Sequence, residues 1–534
     1  MPKNIRKVFD IIADSKLIDC PPMDNIELSL FSSRIASVCD EMGAVLQRVA
    51  FSPNIKDRLD FSCAIFDADG ALCAQAAHIP VHLGSMAYAM ADIVDAIEWS
   101  PGDMVMMNDP YLGGTHLPDV TVIAPLFVDN RLASFVVNRA HHADMGADTP
   151  GSMPVSSSLH EEGVVIAPTK LVEKGQLRQA EFTALLAKFK NADESSGDFN
   201  AQISANRRGL ERLQQLVESI GVKHYQQGLL ALNQYAAKLA KQIINKIPDG
   251  KYRFNDVMDD DGQGETNIHI QLALSVSAGA VVADFTGSHP QVRGNINCPV
   301  SVVAAAVYYV FRCLMPAQMP ACAGAFQSID IKVPDHCLLN ASFPAAVAAG
   351  NVETSTRVVD VVMGALAKAV PELMPAASQG SMNNLAMGHA GDGQQAAWNY
   401  YETIGGGMGA GSQGDGQSAV QTHMTNTLNT PIEVLESHYP LRVLRYQLRE
   451  GSGGSGEHRG GDGIIREYQF LSDAHFTLLT ERRSTQPWGI GQAEAGQAGK
   501  NLLNSEPLAA KISSVVKTGD VLRVETPGGG GWSA

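Results

Sequence analysis

The stretch NDPYLGGTHLPDVTVIAPLFVDNRLASFVVNRAHHAD, Asn108 to Asp144, holds two apolar β-type runs, VTVIAPLFV and LASFVVN, each beside a histidine and an aspartate three residues apart. Pro118 and the glycines Gly113 and Gly114 make a long helix untenable around His116 and Asp119, so the first HxxD sits on a loop leading into the first run. Such a pair offers one cation an imidazole nitrogen and a carboxylate oxygen from a strand end, where the sheet fixes backbone direction. The same spacing arises from a turn-capping aspartate beside a surface histidine. The second HxxD, His141 to Asp144 in RAHHAD, brings the ligand reading level with that one. Two strand ends carrying histidine and carboxylate can converge on one ion as a His₂Asp set with positions left for water. Alternation leaves both His141 and His142 open as the inward ring, because either face of the run can be the buried one.

Other polar residues of this region are candidates for the same pocket. HIPVHLG sets His78 and His82 four apart around Pro80. In an extended segment they share a face, as substrate contacts or as a structural pair donating to backbone carbonyls. Asp109 in NDP is a candidate substrate contact, and Glu161 and Glu162 in LHEEG are candidates for orienting ligands, with Glu162 the candidate general base. Acidic residues in turns are common, so each competes with a plain capping role.

Glycine is the compositional outlier, with 50 residues. GSGGSGEHRGGDG (Gly451 to Gly463) lacks the strand and lysine of a phosphate-binding P-loop, and no GxxxxGK[ST] occurs anywhere, so no nucleotide site is expected in this chain. Its glycines suit tight turns whose N–H groups can cradle an anion. YYETIGGGMGAGSQGDG (Tyr400 to Gly416) predicts close backbone approach to a ligand or a partner subunit. No GxSxG elbow is present, and nothing marks a cysteine as an activated thiolate. The eight cysteines, at 20, 39, 63, 73, 298, 313, 322 and 337, form no CxxC pair. That pattern predicts reduced thiols in a cytoplasmic protein. The N-terminal MPKNIRKVFDIIADSKLIDC has only the short apolar patch VFDII, broken by Asp10, which predicts no signal peptide.

A formal charge of −16, from 40 Lys+Arg against 56 Asp+Glu, with no long cationic run, argues against nucleic acid as a partner. The apolar run VSVVAAAVYYVFRCLM is shorter than the ~20 residues a bilayer span needs and carries Arg312, so it predicts a buried helix and no membrane anchor. A length of 534 residues predicts several lobes. The expected fold is multi-lobed α+β. It comprises a mixed α/β metal lobe over 20–180, a helical insertion or arm over 181–247, a mixed α/β region over 248–400 and a Gly-rich β region over 401–534. An amphipathic helix is expected over Asn25 to Ala50, another near Ser85 to Ile97, a hairpin around DADG, and helices near Val300 and from Thr354 to Val370.

The blocks FSPNIKDRLDFSCAIFDADG, AHIPVHLGSM, NDPYLGGTHLPDV, NRAHHADMG, PGSMP, AGNVETSTRVVDVV, PAASQGSMNN, YYETIGGGMGAG, HMTNTLNTPIEVLE, GSGGSGEHRGGDG and ETPGGGGW run in order through nearly the whole chain. Together they resemble the hydantoinase B/oxoprolinase family, which includes the B-type subunits of ATP-dependent hydantoinases and lactamases and a subunit of acetone and acetophenone carboxylases. The close GGGGWSA departs from the more usual aromatic-Gly ending. The resemblance implies a divalent metal site, Zn²⁺, Mn²⁺ or Fe²⁺, at His116, Asp119 and His141, and it is the resemblance that selects His141 over His142. It also implies a hetero-oligomer with a hydantoinase A-type ATPase subunit that holds ATP and Mg²⁺ and phosphorylates a small cyclic amide. The implied activity is ATP-dependent opening of a hydantoin, 5-oxoproline or related lactam ring. Metal at the His116/Asp119/His141 site would lower the pKa of water from ~15.7 toward ~7 and aim hydroxide at the activated carbon. The chain length suits this branch better than the longer carboxylase subunit. The alternatives are a subunit of an ATP-dependent ketone carboxylase, and a scaffold subunit whose HxxD loop is structural.

Overall fold

The computed structural model describes residues 23–76, 78–391, 393 and 395–534. The N-terminal stretch read for targeting, with Cys20, lies outside the described residues. Both apolar runs of the 108–144 stretch are strands at the centre of a seven-stranded antiparallel sheet. Its strands are β1 (Phe61–Asp67), β2 (Leu72–Gln75), β3 (Met104–Met107), β4 (Asp119–Val128), β5 (Arg131–His141), β6 (Thr169–Glu173) and β7 (Gln176–Leu177), in the order β2-β1-β5-β4-β3-β6-β7. The DADG turn joins β1 to β2 as expected.

Both faces of this sheet are covered, which is why β4 and β5 read as near-continuous apolar runs. Helix α1 (Asn25–Val49) starts at a capping box of Asp24 and Glu27 and buries Phe31, Ile35, Val38, Met42 and Leu46. Helix α2 (His82–Ile93) buries Met86, Met90 and Ile93 against Phe66, Ile123, Phe135 and Val137 of the sheet. It begins three residues before the expected Ser85, on His82. On the opposite face α1 packs with α3 (Ala192–Ile220), which also lies against β4 and β5.

Helix α3 of the 181–247 region thus forms a layer on the sheet. α3 is fastened there by amides: Asn138 Nδ2 donates to Asn206 Oδ1 at 2.8 Å, and Gln202 Nε2 donates to the Val120 carbonyl at 2.8 Å. Asn206 Nδ2 reaches the Val122 carbonyl at 2.9 Å. These three buried amides satisfy one another and the β4 carbonyls, and an unpaired one would cost about 1–3 kcal/mol. After α3 come α4 (Val222–Ile244) and a second sheet of β8 (Gly250–Asp260), β9 (Thr266–Ser277), β10 (Ala280–Asp284) and β11 (Ile329–Lys332). α5 (Val300–Cys313) is buried almost all round, as its composition predicted, and packs on α2 and on α6 (Ser355–Ala367). No described helix is long and apolar enough to cross a membrane. The described cysteines are free, and all but Cys313 are buried.

Two further sheets make the C-terminal part. One orders β13 (Trp398–Glu402), β12 (Asn384–His389), β16 (Ala474–Leu479) and β19 (Lys511–Val516); the other orders β14 (Leu441–Arg449), β15 (Gly463–Phe470), β20 (Val521–Glu525), β17 (Lys500–Leu503) and β18 (Glu506–Pro507). The fold is therefore α+β with several sheets.

The glycine-dense segments are closely packed. Their close backbone approach is to one another: Gly461 N donates to Met408 O at 2.8 Å, Gly529 N to Gly461 O at 2.9 Å, and Ala410 N to Gly530 O at 2.9 Å. A Cβ at Gly529 would overlap the Met408 carbonyl. The glycines let three chain segments interlock backbone to backbone. Gly529→Ala is therefore expected to cost about 1–3 kcal/mol through forced backbone shifts. Gly411→Ala, whose Cβ meets nothing within 4 Å, should change little. Melting curves of the two variants check this, with a drop of several degrees only for Gly529→Ala.

Candidate metal centre

Register builds the site. In the β4/β5 pairing Asp119 lies directly opposite His141, and Thr121 opposite Arg139. Cross-strand partners project to the same face, and the next residue along projects to the other. His141 therefore shares a face with Asp119, while His142 turns to the α3 side. There its Nε2 meets Gln202 Oε1 at 2.9 Å and its ring packs on Phe199.

His116 arrives from the glycine loop. Asp109 caps the short turn Pro110–Leu112 through Tyr111 N at 2.9 Å, and its carbonyl accepts from Gly114 N at 3.1 Å. This folds the loop under β4, so that Asp119 N bonds the His116 carbonyl at 3.1 Å. Arg139, fully buried, ties the surrounding elements together: its Nε donates to Thr121 Oγ1 at 2.9 Å and its NH1 to Ser85 Oγ of α2 at 2.7 Å.

His116, Asp119 and His141 are buried, and one ligand atom from each lies within 4.8 Å of the others. Asp119 Oδ1 is 3.2 Å from His116 Nε2 and 3.4 Å from His141 Nδ1, yet it accepts no hydrogen bond. Donors bound to one ion at ~2.0–2.2 Å sit about 3 Å apart, which is the spacing of each histidine nitrogen from Asp119 Oδ1. His116 Nδ1 faces the Ala348 carbonyl at 3.2 Å. A carbonyl there holds the ring proton on Nδ1 and leaves the Nε2 lone pair toward the cluster. Burial pushes the Asp119 carboxyl up, but His116 and His82 outweigh it and hold the group well below the usual range. Burial presses the His116 imidazolium down, and Asp119 reverses that. The donor spacing and the orphaned Asp119 Oδ1 fit a divalent ion.

The other candidate residues are placed as follows. His82, the first residue of α2, directs Nε2 at Asp119 Oδ2 (3.3 Å) and Nδ1 at Ser62 Oγ (3.0 Å). With the Thr115 hydroxyl, which donates to the same Oδ2, it fixes the carboxylate from behind. His78 does not join it. The segment is a turn into a helix and not an extended run, because Pro80 precedes the first turn of α2. The two rings therefore do not share a strand face, and His78 Nδ1 accepts from Cys63 N at 3.3 Å. Burial, then the neighbouring His82, pulls His78 down to about 4, which agrees with a neutral acceptor. Asp109 is spent on the turn described above. Glu162 Oε1 accepts from Ser156 Oγ at 2.8 Å and from the N–H groups of Val347 and Ala348 at 2.9 and 3.0 Å. It thereby holds the peptide whose carbonyl orients His116. Burial raises Glu162 to about 7. Glu161 is exposed and bonds Ser157.

Three neighbours escape the sequence reading. Asp60 Oδ2 lies 3.9 Å from His141 Nδ1, Tyr401 stacks on the His141 ring at 5.0 Å and 7°, and Asn351 Nδ2 lies 3.2 Å from His116 Nε2. Only Asp60, at the start of β1 beside β5, could have been located from strand pairing.

The family model for hydantoinase B/oxoprolinase matches residues 24–534. The chain belongs to this family. It is 38% identical over 553 residues to 5-oxoprolinase 1 of Arabidopsis thaliana, where the match covers 96% of this chain and 42% of that protein. The chain thus spans about two fifths of the length of that 5-oxoprolinase. It is 31% identical to a putative D-/L-hydantoinase B-type subunit of a Pseudomonas species, covering 96% of this chain and 90% of that one. Its structure superposes on the ATP-dependent caprolactamase of Pseudomonas jessenii with a TM-score of 0.89 and 26% identity, over 96% and 92% of the two chains. Acetone carboxylase shares the fold, with a TM-score of 0.87 at 17% identity, over 99% of this chain and 79% of the other.

If the three donors hold an ion, Asp119→Ala and His116→Ala should each reduce metal per folded chain by about tenfold or more after dialysis. His142→Ala, on the opposite face, should keep it. Elemental analysis of the purified chains distinguishes the two.

Proposed function

We propose that this chain is the ring-opening subunit of an ATP-dependent cyclic-amide hydrolase, acting on a hydantoin, 5-oxoproline or related lactam that an ATPase subunit has phosphorylated. The observation that carries the reading is the buried His116/Asp119/His141 donor set, in a chain similar along its length to a 5-oxoprolinase and a hydantoinase B-type subunit and without a P-loop of its own.

A five-membered cyclic amide is a poor electrophile. Transfer of the terminal phosphoryl group of ATP to the carbonyl oxygen forms an O–P bond, releases ADP and leaves an imidate carbon open to water. Water addition and cleavage of the C–N bond then release the ring nitrogen, as an amine from a lactam or as a urea nitrogen from a hydantoin, and give an acyl phosphate, which a second water converts to the carboxylate and phosphate. A divalent ion at the site, Zn²⁺, Mn²⁺ or Fe²⁺, supplies Lewis acidity and a lowered water pKa, toward ~7. The chain's own residues have separable tasks. His116, Asp119 and His141 hold the ion. His82 and Thr115 fix the free oxygen of Asp119, and Glu162 fixes Ala348 and through it the His116 ring. Tyr401 covers His141 and limits bulk water.

With the ATPase subunit present, cyclic amides are expected to stimulate ATP hydrolysis without bicarbonate. His116→Ala should abolish ring opening, by about 10² or more, and leave nucleotide binding by the partner intact. A coupled assay over a panel of cyclic amides and ketones tests this. Normal turnover by the His116→Ala complex would overturn it, and bicarbonate-dependent turnover of a ketone would assign the chain to carboxylation instead.

A further inference from the structure

We propose that Asn351 is a fourth protein donor of this centre, presenting its side-chain carbonyl oxygen to the ion. The proposal rests on the reading of His116, Asp119 and His141 as a cation site. Asn351 stands in a single π-turn, Gly350–Thr354, that precedes α6. Such turns widen a helix by one residue and re-aim a side chain. Its backbone is held firmly. Ala349 N and Gly350 N both donate to the Asn295 carbonyl, at 3.0 and 3.1 Å, and a Cβ on Gly350 would overlap the Asn297 carbonyl. Asn297 Nδ2 in turn reaches the Ala346 carbonyl at 3.1 Å, so the segment entering the turn is clamped on both sides.

From there the amide reaches into the cluster, with Nδ2 3.2 Å from His116 Nε2 and 3.4 Å from Asp119 Oδ2. Oδ1 is buried and has no partner. Once an ion takes the His116 Nε2 lone pair, an N–H group facing that nitrogen has no acceptor there. The two ends of a carboxamide are near-isosteric, and a half-turn exchanges them. The exchange places the unsatisfied oxygen 3.2 Å from His116 Nε2, the separation expected of donors sharing one ion, at the edge of the Asp119 carboxylate. It removes a buried orphan acceptor and completes two imidazoles, one carboxylate and one amide oxygen. An added oxygen donor shifts preference toward ions that accept harder ligands and more positions, such as Mn²⁺.

The alternative is that Asn351 only donates a hydrogen bond to Asp119. The two roles respond oppositely to Asn351→Asp. A ligand oxygen survives that change and gains charge, whereas a donor is lost and a like charge is set beside Asp119. The test is the Mn²⁺ dissociation constant of the full-length, metal-stripped chain, measured by competition with a chelator, for wild type, Asn351→Ala, Asn351→Asp and His116→Ala. Asn351→Ala is expected to weaken Mn²⁺ binding about tenfold or more, and Asn351→Asp to bind at least as tightly as wild type. Unchanged affinity in Asn351→Ala, or weaker binding by a folded Asn351→Asp, overturns the proposal while the three-donor site stands. Wild type that binds Mn²⁺ no better than His116→Ala removes the site itself.

Discussion

The cross-strand pairing of Asp119 with His141 is the constraint on which the rest of the site depends. Antiparallel register places the two side chains on one face, a few ångströms apart, with no loop to hold them. A shift of one residue would turn His142 inward and send His141 into the α3 interface, where Gln202 and Phe199 wait for a different ring. The Asn138, Gln202 and Asn206 amides on the opposite face lock that register, because they match only one alignment of β4, β5 and α3. A polar contact on the opposite face of the sheet thus fixes which histidine faces Asp119.

Around this pair the chain brings in groups from distant segments, each held by buried polar contacts. Glu162 and Asn297 anchor the 346–351 segment, which supplies the carbonyl behind His116 and the amide of Asn351. The join to the C-terminal part is ionic: Glu481 bonds Lys511 at 2.6 Å and Arg357 at 3.2 Å, while Arg482 lies between Asp256 at 2.6 Å and Asp360 at 2.8 Å. Buried charges are costly unless fully paired, so these contacts tolerate one relative placement of the C-terminal sheets and α6. That placement also sets Tyr401 over His141.

Much of this is legible in the sequence, for definite reasons. The helices over Asn25–Val49, Ala192–Ile220 and Val300–Cys313 follow from apolar spacing, and β4 and β5 from their long apolar runs. His116, Asp119 and the His141/His142 dipeptide stand out because two HxxD elements flank those runs. Choosing between the two histidines needs register, which local alternation does not contain. His78 and His82 look co-facial in the sequence because Pro80 is compatible with extension, whereas it leads into a helix. The glycine segments announce close backbone approach but not its object, since the three interlocking stretches lie more than forty residues apart in the chain. Asn351 and Tyr401 sit 232 or more residues from Asp119, and no local pattern links them to it.

The most direct measurement is anomalous X-ray scattering from crystals of the chain grown with Mn²⁺ and recorded on both sides of the metal edge. The account predicts one strong peak per chain, bounded by His116 Nε2, a carboxylate oxygen of Asp119 and His141 Nδ1. No peak there, or a peak on the His142 side of the sheet, would contradict it.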